Sequence, residues 1–323
     1  MKKDPTPDLG RPGAGGVLSV GGNLAARAPP GNRAGRGTTS RADSPSFGPM
    51  LQCIDHGDVR ELRLSSWTSR LVGYGVSVFV TRDTLVDAGF PAVGAELAAY
   101  LRRHPVAGAV LTHGHEDHSG GVPALLALGL GVHCAPETDA WMRREERVGL
   151  YRRVTWGRRR PLAQPRRPFA PPEALQLRAA PGHSIDHHVV WDAERGTVFG
   201  GDLFIGVKLR IAHHDEDVRQ QVGVLREVAA WQPQRFFDAH RGLLPDPVAQ
   251  LRAKADWMEE TIARIEALVH RAWDDAAIRD AVLGRADATG AWSFGAYSKL
   301  AFVRSVRATM PGSATATSET RPA

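Results

Sequence analysis

Thr112-His113-Gly114-His115-Glu116-Asp117-His118-Ser119-Gly120-Gly121 follows directly on the apolar run Val106 to Leu111, and its core holds three histidines and an aspartate within six residues. His113, His115, Asp117 and His118 are candidate metal ligands. Imidazole and carboxylate at this density suit borderline divalent metals such as zinc, and few structural needs would concentrate them so. The apolar run reads as a strand that delivers the polar loop at its end. A lone His-x-His is often a surface pair; four such groups after an apolar strand point to a catalytic metal site.

Working outward, the same residue types recur where apolar stretches end. Upstream, Thr84-Leu85-Val86-Asp87-Ala88-Gly89 closes on an aspartate; downstream come Pro181-Gly182-His183-Ser184, Gly200-Gly201-Asp202-Leu203-Phe204 and Phe237-Asp238-Ala239-His240. Together these segments resemble the metallo-β-lactamase fold superfamily, in which a strand ends in His-x-His-x-Asp-His, and the likeness covers roughly residues 50 to 270. The resemblance implies an α/β fold, a four-layer αβ/βα sandwich with a small C-terminal helical extension. It also implies one metal held by His113, His115 and His183, a second held by Asp117, His118 and His240, and Asp202 bridging the two. The expected cofactor is two Zn2+ ions, with iron or manganese accepting the same donors. One departure is that His240 is followed by Arg241-Gly242, where many members have glycine on both sides. True β-lactamases of this fold lack the bridging aspartate and use a cysteine or other residues at the second metal, whereas Cys53 and Cys134 lie outside the later motifs here. The likeness is to the glyoxalase II and lactonase branches.

Two metals about 3.5 to 4 Å apart can share a hydroxide of near-neutral pKa while one ion polarises the scissile oxygen. The implied function is a dinuclear metal-dependent hydrolase whose metal-bridging hydroxide attacks an ester, thioester or lactone carbonyl of an anionic small molecule. Asp117 is the candidate base. Asp87 is expected to orient a ligand histidine through its second nitrogen, and Glu116 to face solvent or a backbone amide. His187, His188, His213 and His214 come as simple pairs and read as structural or pocket-lining; His56, His104, His133 and His270 are given no role. Two other readings share the fold. One is a phosphodiesterase or ribonuclease, although only 37 residues separate Asp202 from His240, too few for the domain such nucleases carry there. The other is an iron-dependent sulfur dioxygenase with a mononuclear site.

The 323 residues, 42% of them hydrophobic, suffice for a substantial core. No stretch approaches the ~20 apolar residues of a membrane span, and Gly15 to Val20 is too short and glycine-rich for a signal peptide, so the expected compartment is the cytoplasm. Two cysteines 81 positions apart make no disulfide framework and read as ordinary buried thiols. Residues 1 to 48, rich in Gly, Pro, Arg, Ser and Ala, are expected to be disordered, and Met50 is a candidate start codon. The main domain is expected over 49–272, the helical extension over 273–310 and a disordered tail over 311–323.

Within the main domain, Leu62 to Leu64, Val76 to Val80, Thr84 to Val86, Val106 to Leu111, Val132 to Ala135, Leu175 to Ala179, His187 to Trp191 and Thr197 to Phe199 read as strands. Ala92 to Arg103, Asp215 to Trp231, Pro247 to Trp273, Ala276 to Leu283 and Tyr297 to Val306 have helical periodicity. Ser119 is the expected cap of a helix running to Leu128. The stripe Leu251, Ala255, Met258, Ile262, Ile265 and Leu268 reads as a core face.

Net charge is +6, and the excess is arginine, which prefers bidentate carboxylate or phosphate partners. Ten arginines fall between Arg143 and Arg167, opposed there only by Glu145 and Glu146. This segment, with Tyr151 and Trp156, is either a solvated helix and proline-rich loop or a clamp for a carboxylate, a phosphate or a nucleic-acid backbone. An anionic small molecule is the expected partner, with nucleic acid the lesser alternative. Tyr297 and Lys299 are candidates to bind an acidic group.

Overall fold

Apolar residues on both faces of short strands build two sheets, as seen in the computed structural model, which describes residues 50–145, 149–285, 290–291 and 293–311. The expected disorder at 1–48 and past 311, and Glu146 and Arg147, lie outside these residues. The first sheet runs in chain order: β1 (Met50–Asp55), β2 (Arg60–Ser65), β3 (Val76–Thr81), β4 (Thr84–Val86), β5 (Gly108–Val110) and β6 (Gly131–His133). It is antiparallel up to β4 and parallel from β4 to β6. The second contains β7 (Leu175–Ala179), β8 (His188–Asp192) and β9 (Thr197–Phe199); the short β10 (Ala212–His213) lies outside it, and β11 (Arg235–Asp238) and β12 (Gly242–Leu243) complete it in the order β12-β11-β9-β8-β7.

Side-chain alternation along these strands sorts three cores. Val76, Val78 and Val80 pack against Leu97, Tyr100 and Leu125, which belong to helices α2 (Gly94–Arg103) and α4 (Val122–Ala127); α1 (Trp67–Leu71) and α3 (Glu116–Ser119) are short turns. Phe79, between those valines, joins Val86, Val110, Val190, Phe199 and Phe237 between the sheets. Phe79, Phe199 and Phe237 have centroids 5.3 to 5.4 Å apart, and truncating any one to alanine would cost about 3–5 kcal/mol. On the far side, Val189, Val198 and Phe236 meet α7 (Val218–Ala230) and α8 (Pro247–His270), after α5 (Pro136–Arg143) and α6 (Leu150–Trp156) on the chain. Helix, sheet, sheet, helix is the four-layer α/β sandwich expected from the sequence. The last helices, α9 (Asp275–Val282) and α10 (Lys299–Ala308), bring Ile278, Phe302, Val303 and Val306 into the same core as α7 and α8.

Several expectations are corrected. Ser119 caps no helix: its hydroxyl donates to the carbonyls of Gly114 and His115, and α4 begins after Gly121. Tyr297 and Ser298 form β13, paired with β10, so the final helix starts at Lys299. Cys53 is exposed on β1, while Cys134 is buried, its thiol pushed up to about 11 by desolvation. Among the described residues no helix is long and apolar enough to cross a membrane.

Parallel pairing decides where the site forms. Val86 of β4 lies opposite Val110 of β5, and Phe199 of β9 opposite Phe237 of β11, so the carboxyl ends of neighbouring strands open together.

Candidate metal centre

Asp87, just past β4 in the left-handed region at φ 62°, accepts from Thr112 N at 2.8 Å and from the Thr112 hydroxyl. Its Oδ2 also lies 2.8 Å from His118 Nδ1. The two loops are stitched further by Ala88 N to His118 O at 2.7 Å, and Gly121 must be glycine because a Cβ there would sit 2.0 Å from Ala88 O. With Nδ1 donating to Asp87, His118 turns Nε2 inward.

Asp202 sits at the centre. Its Oδ1 is 3.1 Å from His118 Nε2 and 3.2 Å from His240 Nε2, and its Oδ2 is 3.4 Å from His183 Nε2. Asp117 Oδ2 is 3.5 Å from His240 Nε2 and 3.8 Å from His118 Nε2. His183 Nε2 faces His115 Nδ1 at 3.1 Å. Ligand atoms of His113, His115 and His183 form one group and those of Asp117, His118, Asp202 and His240 another, each with all atoms within 4.8 Å of one another. Two nitrogens bound tetrahedrally at zinc distances are about 3.4 Å apart, so the spacing is that of donors around a cation. His113 Nε2, His118 Nε2 and Asp202 Oδ1 are buried without a hydrogen-bond partner, a costly arrangement unless something else satisfies them. The structure therefore brings together all seven residues singled out in the sequence, positioned for a metal site.

The electrostatics are those of a buried, carboxylate-rich site. Burial opposes charge on His118, His183 and His240, yet neighbouring carboxylates override it, raising His240 to about 10 and the other two as well. Burial works against the Asp202 anion, but His240 and His118 hold its carboxyl well below the usual range. His113 and His115 have burial and neighbouring charge against protonation and stay neutral.

Further residues aim this cluster. Glu216 Oε1 lies 3.2 Å from His183 Nδ1, and His240 Nδ1 donates to Gly75 O at 2.9 Å. Asp238 accepts from the amides of His240, Arg241 and Ile205. His187, neutral because burial pushes it down to about 3, donates from Nδ1 to Ala180 O and accepts from Asp202 N at 3.1 Å. Gly201, at φ +51°, must be glycine, since a Cβ would meet His187 Nε2 at 2.8 Å. Lys254 of α8 donates to the carbonyls of Leu203 and Phe204 at 2.8 and 2.7 Å. None of the four paired histidines lines the cavity at the cluster; His213 is buried beside Tyr297, close to His214 and Asp215.

Glu116 is the clearest departure from the sequence reading. It is fully buried and paired with Arg152 of α6, Nε to Oε1 at 2.6 Å and Nη2 to Oε2. The arginine segment is thus neither wholly solvated nor one clamp: Arg152 is buried, and Arg143 and Arg166 both pair with Asp139. A cavity of about 180 Å³ opens onto the cluster, walled by Asp117, Arg152, Trp156, Ile211, His240 and Tyr297. His187 has the structural role read for it in the sequence, whereas Glu216 left no sequence signal, because it shares no spacing with the motifs. A carboxylate inside an apolar-flanked loop did carry one for Glu116: if buried, it requires a cation.

Residues 71–230 match the family model of the metallo-beta-lactamase superfamily. The chain is 26% identical over 216 residues to beta-lactamase-like protein 2 homolog of Drosophila melanogaster, covering 58% of this chain and 69% of that protein. It is 26% identical to lactamase-like protein vrtG of Penicillium aethiopicum over 63% of this chain and 61% of that one. With thioesterase pkgB of Emericella nidulans the figures are 25%, 71% and 65%. Among solved structures, a metallo-beta-lactamase family protein from Thermus thermophilus aligns at a TM-score of 0.49 and 19% identity, covering 82% of this chain and 94% of that one.

Proposed function

This chain carries a metallo-beta-lactamase superfamily domain, and from that premise we propose that it is a dinuclear metal-dependent hydrolase of an ester, thioester or lactone carbonyl in an anionic small molecule. The observation that carries the reading is the convergence of seven His and Asp donors, three of which, His113, His118 and Asp202, present a buried atom with no hydrogen-bond partner. Charge supports it. Asp87, Asp117, Asp202 and Glu216 are all buried, and their ion-pair partners are histidines rather than lysine or arginine. Holding those carboxylates with histidines alone requires His118, His183 and His240 to be protonated against burial, and divalent cations remove that requirement.

His113, His115 and His183 would hold one cation, Asp117, His118 and His240 the other, and Asp202 both. Zinc fits these donors, as do iron and manganese. When bound, the ions supply a nucleophile derived from water at neutral pH and an electrophile for the carbonyl oxygen. The chain's own residues do the rest. Asp117, lining the cavity, accepts at its carboxylate the proton released on attack. Asp87 and Glu216 hold His118 and His183 in orientation through their Nδ1 atoms. Arg152 spends Nε and Nη2 on Glu116 and lines the cavity, so its guanidinium is the cation available there to an anionic group of the substrate. Tyr151 and Tyr297 stand beside that guanidinium with their hydroxyls kept protonated by burial, and so act as donors. Trp156, Ile205 and Ile211 give the cavity an apolar wall that excludes water.

The test is paired initial rates of zinc-reconstituted protein on an acyl thioester and on bis(p-nitrophenyl) phosphate, with Asp202→Asn as control and metal content measured alongside. Thioester turnover lost in the variant is expected. Preferential phosphodiester turnover would replace the proposal with the phosphodiesterase reading, and neither activity with tightly bound iron would end it.

A further inference from the structure

A second concavity, about 590 Å³, lies on the outer helical layer and shares no lining residue with the metal cavity. Trp156 lines the one and Arg158 the other, so the end of α6 separates them. The floor is small-residue backbone: Gly94, Ala95 and Ala98 of α2 with Ala124 and Ala127 of α4. The rim is four arginines, Arg102 from the end of α2 and Arg158, Arg159 and Arg160 after α6, and among the described residues no acidic side chain lines the crevice.

Nearby arginines find partners. Arg143 and Arg166 take Asp139, Arg152 takes Glu116, and Arg167 donates to Gly129 O. Arg159 stacks 3.9 Å above Trp141. By contrast, Arg102, Arg158 and Arg160 are exposed and make no hydrogen bond or ion pair among the described residues. Gathering these three like charges around one concavity is unfavourable unless an anion arrives to share them.

We propose that this crevice is a binding site for a small phosphorylated anion, of the di- or triphosphate class. A guanidinium binds phosphate oxygens bidentately, and several guanidinium groups can share one polyphosphate in a way that a single carboxylate cannot offer. Among the described residues no aromatic ring lines the crevice to stack bases, which favours a compact phosphate over an extended nucleic-acid strand. Because its residues are separate from the metal cluster, the site stands whether or not the hydrolase reading does.

The experiment is calorimetric titration of the metal-loaded full chain with inorganic tripolyphosphate, ADP and a short single-stranded RNA. It is run on wild type, Arg158→Gln/Arg160→Gln and Asp202→Asn. The double variant is expected to weaken tripolyphosphate binding by about tenfold or more with unchanged melting temperature, and Asp202→Asn to retain it. ADP binding that falls in parallel would assign the anion to a nucleotide; tripolyphosphate binding alone would assign it to a free polyphosphate. The proposal is overturned if binding survives in the arginine variant and vanishes in Asp202→Asn, which would place the anion at the metals. It is equally overturned if no probe binds at millimolar concentration, or if RNA binds while tripolyphosphate does not.

Discussion

Glu116 and Arg152, 36 residues apart, form a two-pronged ion pair whose side chains are 0% and 6% exposed. The pair ties the loop that carries the candidate ligands His113 to His118 to helix α6, and with it the cavity wall that Tyr151, Thr155 and Trp156 provide.

Removing one member strands a buried charge. Arg152→Met is expected to destabilise the protein by about 3–5 kcal/mol, whereas Glu116→Gln/Arg152→Met should recover most of that loss. Thermal unfolding of the two variants checks this; equal destabilisation of both would show that α6 is held by packing instead.

Glu216 touches His183 through the ring nitrogen that faces away from the cluster. Glu216→Gln keeps the shape but weakens the acceptor, and metal affinity is expected to fall by about 10- to 100-fold. Competition with a chromophoric chelator measures it, and an unchanged affinity would reduce Glu216 to a packing residue.

Stripping the metal should leave Asp87, Asp117, Asp202 and Glu216 compensated only by His118, His183 and His240, each protonated against its own burial. Dialysis against a chelator is therefore expected to lower the melting temperature. At metal concentrations about 1,000 times the dissociation constant, the stabilisation restored on re-addition is about 4 kcal/mol. Differential scanning calorimetry with zinc, manganese and iron additions would read both the effect and its metal preference; no change on stripping would count against a folded-state metal site.

Lys254 gives the pH dependence a defined sign. Burial holds its amine down at about 8, against 10.5 for a free lysine. Between those two values the unfolded chain carries a proton that the folded chain does not, so stability rises with pH there. Below pH 8 both states are protonated and the full cost of the buried charge, at most about 3 kcal/mol, is present. Wild type should therefore gain stability relative to Lys254→Met as pH climbs from 8 to 10, measured by denaturant unfolding. A pH-independent difference would mean that Lys254 stays charged on its two carbonyls.

Much of this was legible in the amino-acid order. β4 and β9, buried along their whole length, and β7, which alternates apolar Leu175 and Leu177 with Gln176 and Arg178, fall where the apolar runs and the alternation placed them. The donor set was legible too, since His113 to His118 concentrate ligand types and the later His183, Asp202 and His240 end apolar stretches. Boundaries failed where a local signal competed with a distant partner. Ser119 looks like a cap but bonds back to Gly114 and His115, and Tyr297 looks helical but pairs with His213.

By itself, then, the sequence determined which residues gather at the candidate metal site and which period most elements follow, because ligand type and hydrophobic spacing are local properties. Tertiary structure alone decided who holds them in place: Glu216 behind His183, His187 under Asp202, Arg152 against Glu116, and Lys254 on the carbonyls after Asp202. Buried charge and buried polar groups must find partners wherever the fold brings them, and separation along the chain says nothing about which partner that will be.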